Sequence, residues 1–329
     1  MSQMKKSKLS LGLLAGAGVS GLVGSISRMG NSLYDLTLLP MREHETPIAP
    51  FSSQKLLGSG APPESPLHTL LDGRAWLEQH PFRKDIFLNS RDGLRLHAVT
   101  LTPSNHTNRW AVCIHGFWED CNSMGLYARH YYEQGYQLLL PDLRGHGESE
   151  GSYVGMGFDD RLDIISWISV LLRRHPDAQV ILHGVAIGAA TVLMTTGGAL
   201  PSAIRATVSD CSYTSATEEL QWLYQHFGAG RFPKAPALAA LRQVTKLRAG
   251  YDLKDASPIH AVSASKTPTL FLHGEQDSVV PTSMLPQLYS AAACPKDMRW
   301  IQGAEHAMSV AVDSKRYWSL VDSFLASYL

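Results

Sequence analysis

Ala186, Asp277 and His306 stand where acyl transfer needs a nucleophile, an acid and a base, and the first of them cannot react. ILHGVAIGAA, residues 181–190, reads as a β-strand, a G-V-A-I-G turn and a small-residue helix. In that setting G-x-S-x-G is a sharp, strained turn that lifts a serine hydroxyl above a sheet, at the N-terminus of the next helix. Here Ala186 takes the serine's place. Gly184 and Gly188 meet the turn's steric needs, because a side chain at either position collides with neighbouring backbone. Ala189 and Ala190 let the helix lie close to the strand. LFLHGEQDSVVP places Asp277 in the loop after one buried strand, and QGAEHAMS places His306 in the loop after the next. A histidine can take a hydroxyl proton there, while the carboxylate orients its ring and stabilises its charged form.

A second stretch supplies the complementary electrophilic part. HGFWED, residues 115–120, follows the strand-like WAVCI. The N–H of Phe117, just after this His-Gly pair, and the N–H of Ile187, just after the turn residue, can both face a developing oxyanion. His115, Gly116 and Trp118 in the same loop, and Trp222 further on, are candidate substrate-binding residues. Asp210, ending the strand in VSDCSY, competes with Asp277 for the acid role, although it can equally cap or brace a turn. Glu275 and Glu305 are lesser rivals that read as solvated. The histidines and acids are otherwise scattered, with no HExxH or CxxC, so no metal site is expected.

These residues need a scaffold, and short apolar strands alternating with helical patterns provide one. DIFLNS and LRLHAVTL flank the hairpin turn Arg91-Asp92-Gly93; WAVCIHG, YQLLLPD, QVILHG, IRATVSD, PTLFLHG and MRWIQG read as further strands. Helical patterns occupy SMGLYARHYYEQ, FDDRLDIISWISVLLRRH, AIGAATVLMTTG and the tail from Val310 to Leu329. Strands buried on both faces with helices between them specify an α/β fold with a mostly parallel, doubly wound, eight-stranded sheet. From about 213 to 266 there is no strand, but there are Trp222, Tyr224, Phe227, Phe232 and several prolines. This reads as a helical lid inserted after the sixth strand, over the strands' carboxyl ends, where ligands bind in such sheets.

The chain has 329 residues, 44% hydrophobic and 18% charged, with formal net charge +0. That is ample for one large domain, and its neutrality argues against nucleic acid as a partner. Four cysteines are too few for a disulfide scaffold, and Cys113 and Cys211 read as buried free thiols. Lys5, Lys6 and Lys8 precede an uncharged apolar run that ends before Arg28. Residues 1–30 therefore read as a signal peptide or signal anchor, with 31–75 a linker or wrapping arm and 76–329 the main domain. As an anchor, the segment gives membrane association and places the domain outside the cytoplasm. The alternative is an N-terminal helix packed on a cytoplasmic domain.

With PDLRGHGESEG at 141–151, the stretches HGFW, HGVAIGAA, LHGEQDSVVP and GAEHA make five motifs in one order. From about Trp76 onward the chain resembles the serine α/β-hydrolase family, particularly its bacterial branch with an N-terminal hydrophobic segment. The order nucleophile, acid, histidine is that family's. The resemblance implies an eight-stranded α/β-hydrolase fold, no cofactor, and a carboxylic ester hydrolase working through an acyl-enzyme on a small acyl ester. Amidases, peptidases, lipases and thioesterases are among the relatives. It also implies that the PDLRGHGES loop braces the site, leaving Asp142 and His146 without a catalytic role. The departure at Ala186 is then a replaced nucleophile in an otherwise complete site, so the chain should bind and not turn over. The alternative is a non-catalytic ligand-binding protein on the same fold.

Overall fold

The computed structural model describes residues 27–40, 62, 65–226 and 233–329. The apolar run before residue 27, most of the Pro-, Ser- and Gly-rich stretch of 40–66, and Phe227 and Phe232 lie outside the described residues. No helix among the described residues is long and apolar enough to cross a membrane.

All eight expected strands form. They are β1 (Lys84–Asn89), β2 (Arg95–Leu101), β3 (Arg109–Ile114), β4 (Gln137–Pro141), β5 (Gln179–Val185), β6 (Ile204–Asp210), β7 (Thr269–Gly274) and β8 (Lys296–Ile301). They make one sheet in the order β1-β2-β4-β3-β5-β6-β7-β8. β1 pairs with β2, and β2 with β4, antiparallel; every other pair is parallel. The β1–β2 turn closes where the Ser90 N–H donates to the Leu94 carbonyl at 2.8 Å, with Gly93 at φ 90°.

Strand alternation feeds two main cores, one on each face of the sheet, with a smaller third cluster around Phe271. Along β3, Trp110, Val112 and Ile114 enter one core, while Ala111 and Cys113 enter the other. The first core is covered by α1 (27–38) and α4 (Asp160–Arg174), the second by α2 (Pro66–Glu78), α3 (Gly125–Glu133) and α11 (Ser314–Leu325). On α4 the buried residues Ile164, Trp167, Ile168 and Leu171 follow the i, i+3, i+4, i+7 spacing of a helix with one apolar face. α5 (Ile187–Thr196) is buried along its whole length against β5, consistent with its run of small and apolar residues. All four cysteines are buried and free.

Among the described residues, three helices, α6 (Ala216–His226), α7 (Lys234–Arg248) and α8 (Pro258–Ala264), lie between β6 and β7. Three elements escaped the sequence reading, α1, α2 and α9 (Met284–Ala291). α9, between β7 and β8, has a proline inside a single short apolar run, which hid its helical period. α2 begins with Pro66 capped by Ser65 and packs on α3 so closely that a Cβ on Gly125 would lie 2.0 Å from the Gly73 carbonyl oxygen. The tail is helical as expected, broken at Asp313 between α10 (Ser309–Val312) and α11.

The described ends of the 31–75 arm, 31–40 and 65–75, therefore carry ordered structure in the main body. Tyr34 and Leu38 of α1 are 1% and 0% exposed in the first core, and Asp35 pairs with Arg248 of α7 at 2.5 Å. The Arg248 guanidinium also lies 4.1 Å from the Tyr34 ring centre. Tyr34→Ala should lower the free energy of unfolding by about 3 kcal/mol, read as a shifted denaturant midpoint. A change near zero would mean that α1 is a loosely attached arm.

Candidate active site

The turn after β5 is as tight as its sequence requires. A Cβ on Gly184 would lie 2.2 Å from the Gly188 carbonyl oxygen, and one on Gly188 would lie 2.2 Å from that of Ile114. Between them Ala186 sits at φ 52°, ψ −115°, a conformation that costs a non-glycine residue on the order of 1–3 kcal/mol. Neighbouring strands hold it there: the Ala186 N–H donates to the Asp210 carbonyl at 2.9 Å, and the Ala190 N–H donates to the Ala186 carbonyl at 3.0 Å. Trp118, Met156, Cys211 and Ala307 also have positive φ. Four of these five strained residues, all but Cys211, line one cavity.

That cavity, of about 190 Å³, lies above the carboxyl ends of the strands. Ala186, Ile187, Gly116, Phe117, Trp118 and His306 form one end, and the remainder includes leucines of α1, α6 and α7. A Cβ on Gly116 would be 3.8 Å from that of Ala186, so the HGF loop directly adjoins the turn. Ile187 begins α5, where a backbone N–H has no partner within the helix.

His306 and Asp277 meet. His306 Nδ1 is 2.7 Å from Asp277 Oδ2. With Nδ1–H donating to the carboxylate, Nε2 remains an acceptor for a hydroxyl proton. The other oxygen of Asp277 accepts the N–H groups of Val279 and Val280, each at 2.9 Å. Burial alone would push the Asp277 carboxyl up, but the charges and hydrogen bonds of His306 and His273 hold it well below the usual carboxylate range. His273 was missed in the sequence. It ends β7, fully buried, and its Nε2 is 3.1 Å from Asp277 Oδ2. The only signal was a polar residue at the end of an otherwise apolar strand.

Asp210 makes no such contact with His306. One carboxyl oxygen accepts from the Ser309 hydroxyl at 3.1 Å, and complete burial, opposed by that bond and the charge of His273, raises its pKa to about 6. Glu275 and Glu305 are exposed.

Two of the candidate substrate-binding residues are corrected by the geometry. His115 is fully buried and does not line the cavity; its Nε2 accepts the Leu143 N–H at 3.0 Å and its Nδ1 donates to the Gly116 carbonyl at 2.8 Å. It ties the HGF loop to the loop after β4. Trp222 lies on the other side of α6, where its indole N–H donates to the Ser278 carbonyl at 3.2 Å and its ring stacks on His226. Glu219, Leu220, Leu223 and Tyr224 are the α6 residues that line the cavity. Gly116 and Trp118 do line it.

The PDLRGHGES loop is a web of ion pairs. Asp142 accepts the N–H groups of Cys121 and Glu148 at 2.7 and 2.8 Å and pairs with His97 Nδ1 at 2.7 Å. Arg144 makes a two-point pair with Asp163 and reaches Asp92 at 3.0 Å. Among the described residues, Cys211, Asp277 and His306 have donor atoms close enough together to share an ion, as do His97, Cys121 and Asp142. In both sets the histidine Nδ1 and the carboxylate already bind each other.

The fold and this arrangement define the class. A family model described as alpha/beta hydrolase fold matches residues 112–260, and the chain has the α/β-hydrolase fold. Its relatives include the Bacillus subtilis protein YqkD, 27% identical over 234 residues, or 71% of this chain and 76% of that one. The Escherichia coli protein YfhR is 28% identical over 178 residues, 53% of this chain, which span about half (54%) of that protein. Among solved structures, a Pyrococcus furiosus esterase superposes with TM-score 0.61 at 18% identity, covering 75% of this chain and 90% of that one. An acetyl xylan esterase from Paenibacillus gives 0.57 at 16% identity, over 82% and 96%.

Acid should loosen the bracing loop first. Burial alone would raise the Asp142 carboxyl, but the His97 bond and the two N–H donors bring it down to about 2 from 3.8. A depressed folded-state pKa stabilises above the unfolded value, and that stability is lost as pH falls through the folded one. Its share, about 2 kcal/mol, should therefore disappear between about pH 4 and 2. Melting curves across that range should fall less steeply for Asp142→Asn than for the parent chain, from a lower starting temperature.

Proposed function

We propose that this chain carries the site of a serine carboxylic ester hydrolase whose nucleophile position is alanine. The observation that supports this best is the His306–Asp277 bond, whose histidine lines the same cavity as Ala186 at its strained turn. With serine at 186, His306 Nε2 takes the hydroxyl proton as Oγ attacks the ester carbonyl, and Asp277 stabilises the resulting imidazolium. The N–H groups of Phe117 and Ile187 receive the oxyanion. The alcohol leaves with the proton from His306, and water then splits the acyl-enzyme by the same route. His273 is a positioning residue that holds Asp277.

With alanine at 186 the sequence stops at binding. The helices α6 and α7 act as the lid, and the apolar walls favour an acyl or alcohol group with a hydrocarbon chain. The competing reading is a binding protein that uses the same cavity as a receptor, and the observation favouring it is Ala186 itself.

Ala186→Ser should give measurable hydrolysis of simple carboxylic esters. Adding His306→Ala should remove most of that rate, typically about 10⁴-fold, because triad members act as a unit. Asp277→Asn in the serine background should also be severe, and Asp210→Asn much less so. Full activity of Ala186→Ser/His306→Ala would refute the assignment of His306. A serine variant inert to esters, amides and peptides would favour the receptor reading.

A further inference from the structure

Among the described residues the cavity wall has one carboxyl group, which hydrolysis does not use. Glu219, on α6, lines the cavity together with Ala186 and His306. Its side chain is buried, 4% exposed, and its Oε2 has no hydrogen-bond partner among the described residues. No lysine or arginine among the described residues lines the cavity. Most of the surrounding wall is hydrocarbon, including Leu220, Leu223, Leu241, Val279 and Val280. A buried carboxyl without a partner costs stability that an aliphatic side chain of similar size would not, and of the described acids with such an oxygen Glu219 is the one that lines the cavity.

We propose that Glu219 is the polar recognition point of this cavity and donates a hydrogen bond to an oxygen acceptor on the ligand's hydrocarbon chain. The acceptor is a keto, hydroxyl or ether oxygen, set apart from the carboxyl group that faces Ala186. The proposal deepens the reading above, because it assumes that the cavity receives the ligand's chain. The donor role follows from the surroundings. Burial pushes the carboxyl well above its ordinary value, and the negative charge of Asp277 pushes the same way. The protonated acid has an O–H to give, and in an apolar wall that O–H makes a bond the hydrocarbon cannot replace. The rest of the chain is held by burial, which is non-directional and tolerant of length. Glu219 therefore selects where along the chain the oxygen must lie.

The test is calorimetric titration of the chain as it stands, with Ala186, so that no turnover interferes. The probes are alkanoic ethyl esters of one length, either plain or with a single ether oxygen walked along the acyl chain, plus the matching aminoalkanoic esters. One oxygen position should bind at least about tenfold tighter than the plain ester, the worth of one net hydrogen bond at ~1.4 kcal/mol. Glu219→Gln, which keeps an N–H donor, should retain the preference for that position. Glu219→Leu, checked for folding by its melting curve, should bring the two esters within about twofold of each other. Lack of any oxygen preference, or a preference that survives Glu219→Leu, overturns the proposal. So does tighter binding of the amine series that is lost in both variants, because the group would then be an anion seeking a cation. The Ala186→Ser assay separates the two readings. Ester turnover without oxygen preference leaves the hydrolase reading standing alone; a Glu219-dependent preference in a chain inert after Ala186→Ser leaves only the recognition role.

Discussion

The contact between the backbone at Gly188 and the end of β3 governs the rest of the site. It lets α5 start almost on top of the sheet, and only then does residue 186 rise into the cavity with its backbone in a left-handed region. The unfavourable conformation persists because both sides are fixed: β6 holds the N–H of Ala186, and the buried α5 holds its carbonyl. Nothing in this arrangement depends on the side chain of residue 186 beyond its being small. Serine and alanine are mechanically equivalent here, and chemically they are not. The framework around the nucleophile position can thus be complete while the reactive atom is absent.

Around that turn the structure separates charge that holds from charge that is poised. Asp142 and Arg144 are satisfied in several directions at once, by backbone N–H groups and by partners on other elements. Such groups rigidify the loops that carry Phe117 and Trp118, and His115 passes that rigidity on through its bond to Leu143. Asp277 is equally tied down, but it spends one oxygen on a histidine that still has a nitrogen to use. Glu219 is the opposite case, a buried acid with an oxygen to which the described protein offers nothing.

The sheet was legible because most strands are short apolar runs followed within two residues by a glycine, aspartate or proline, and the burial of both faces of the central strands leaves little room for another pattern. The pairing of His306 with Asp277 was legible as loop placement, since a residue at the end of a parallel strand must emerge at the sheet's carboxyl edge. Direction within a helix or loop was not. Trp222 and Tyr224 are two residues apart on one helix, hence on different faces, and only packing decides which face meets the ligand. His115 looked like a site residue because it adjoins Gly116, yet its ring turns inward to a carbonyl one residue away. Glu219 gave no signal at all, for in sequence an acid in the first turn of a helix is an ordinary surface residue. α2 and α1 were hidden for a different reason. On α2 only Gly73 and Leu77 are buried, and the pressure that forms both helices comes from distant partners such as Gly125 and Arg248.

The cavity wall is assembled from positions as far apart as Leu33 and Ala307. In folding terms that is a very non-local object. The hairpin β1–β2 and the β5-to-α5 turn can form from neighbouring residues, but the wall exists only after the longest loops of the chain have closed. The ligand-binding surface thus depends on closure of the chain's longest loops. A ligand that binds there stabilises the finished assembly as a whole, because no smaller folded portion of the chain presents the same set of contacts.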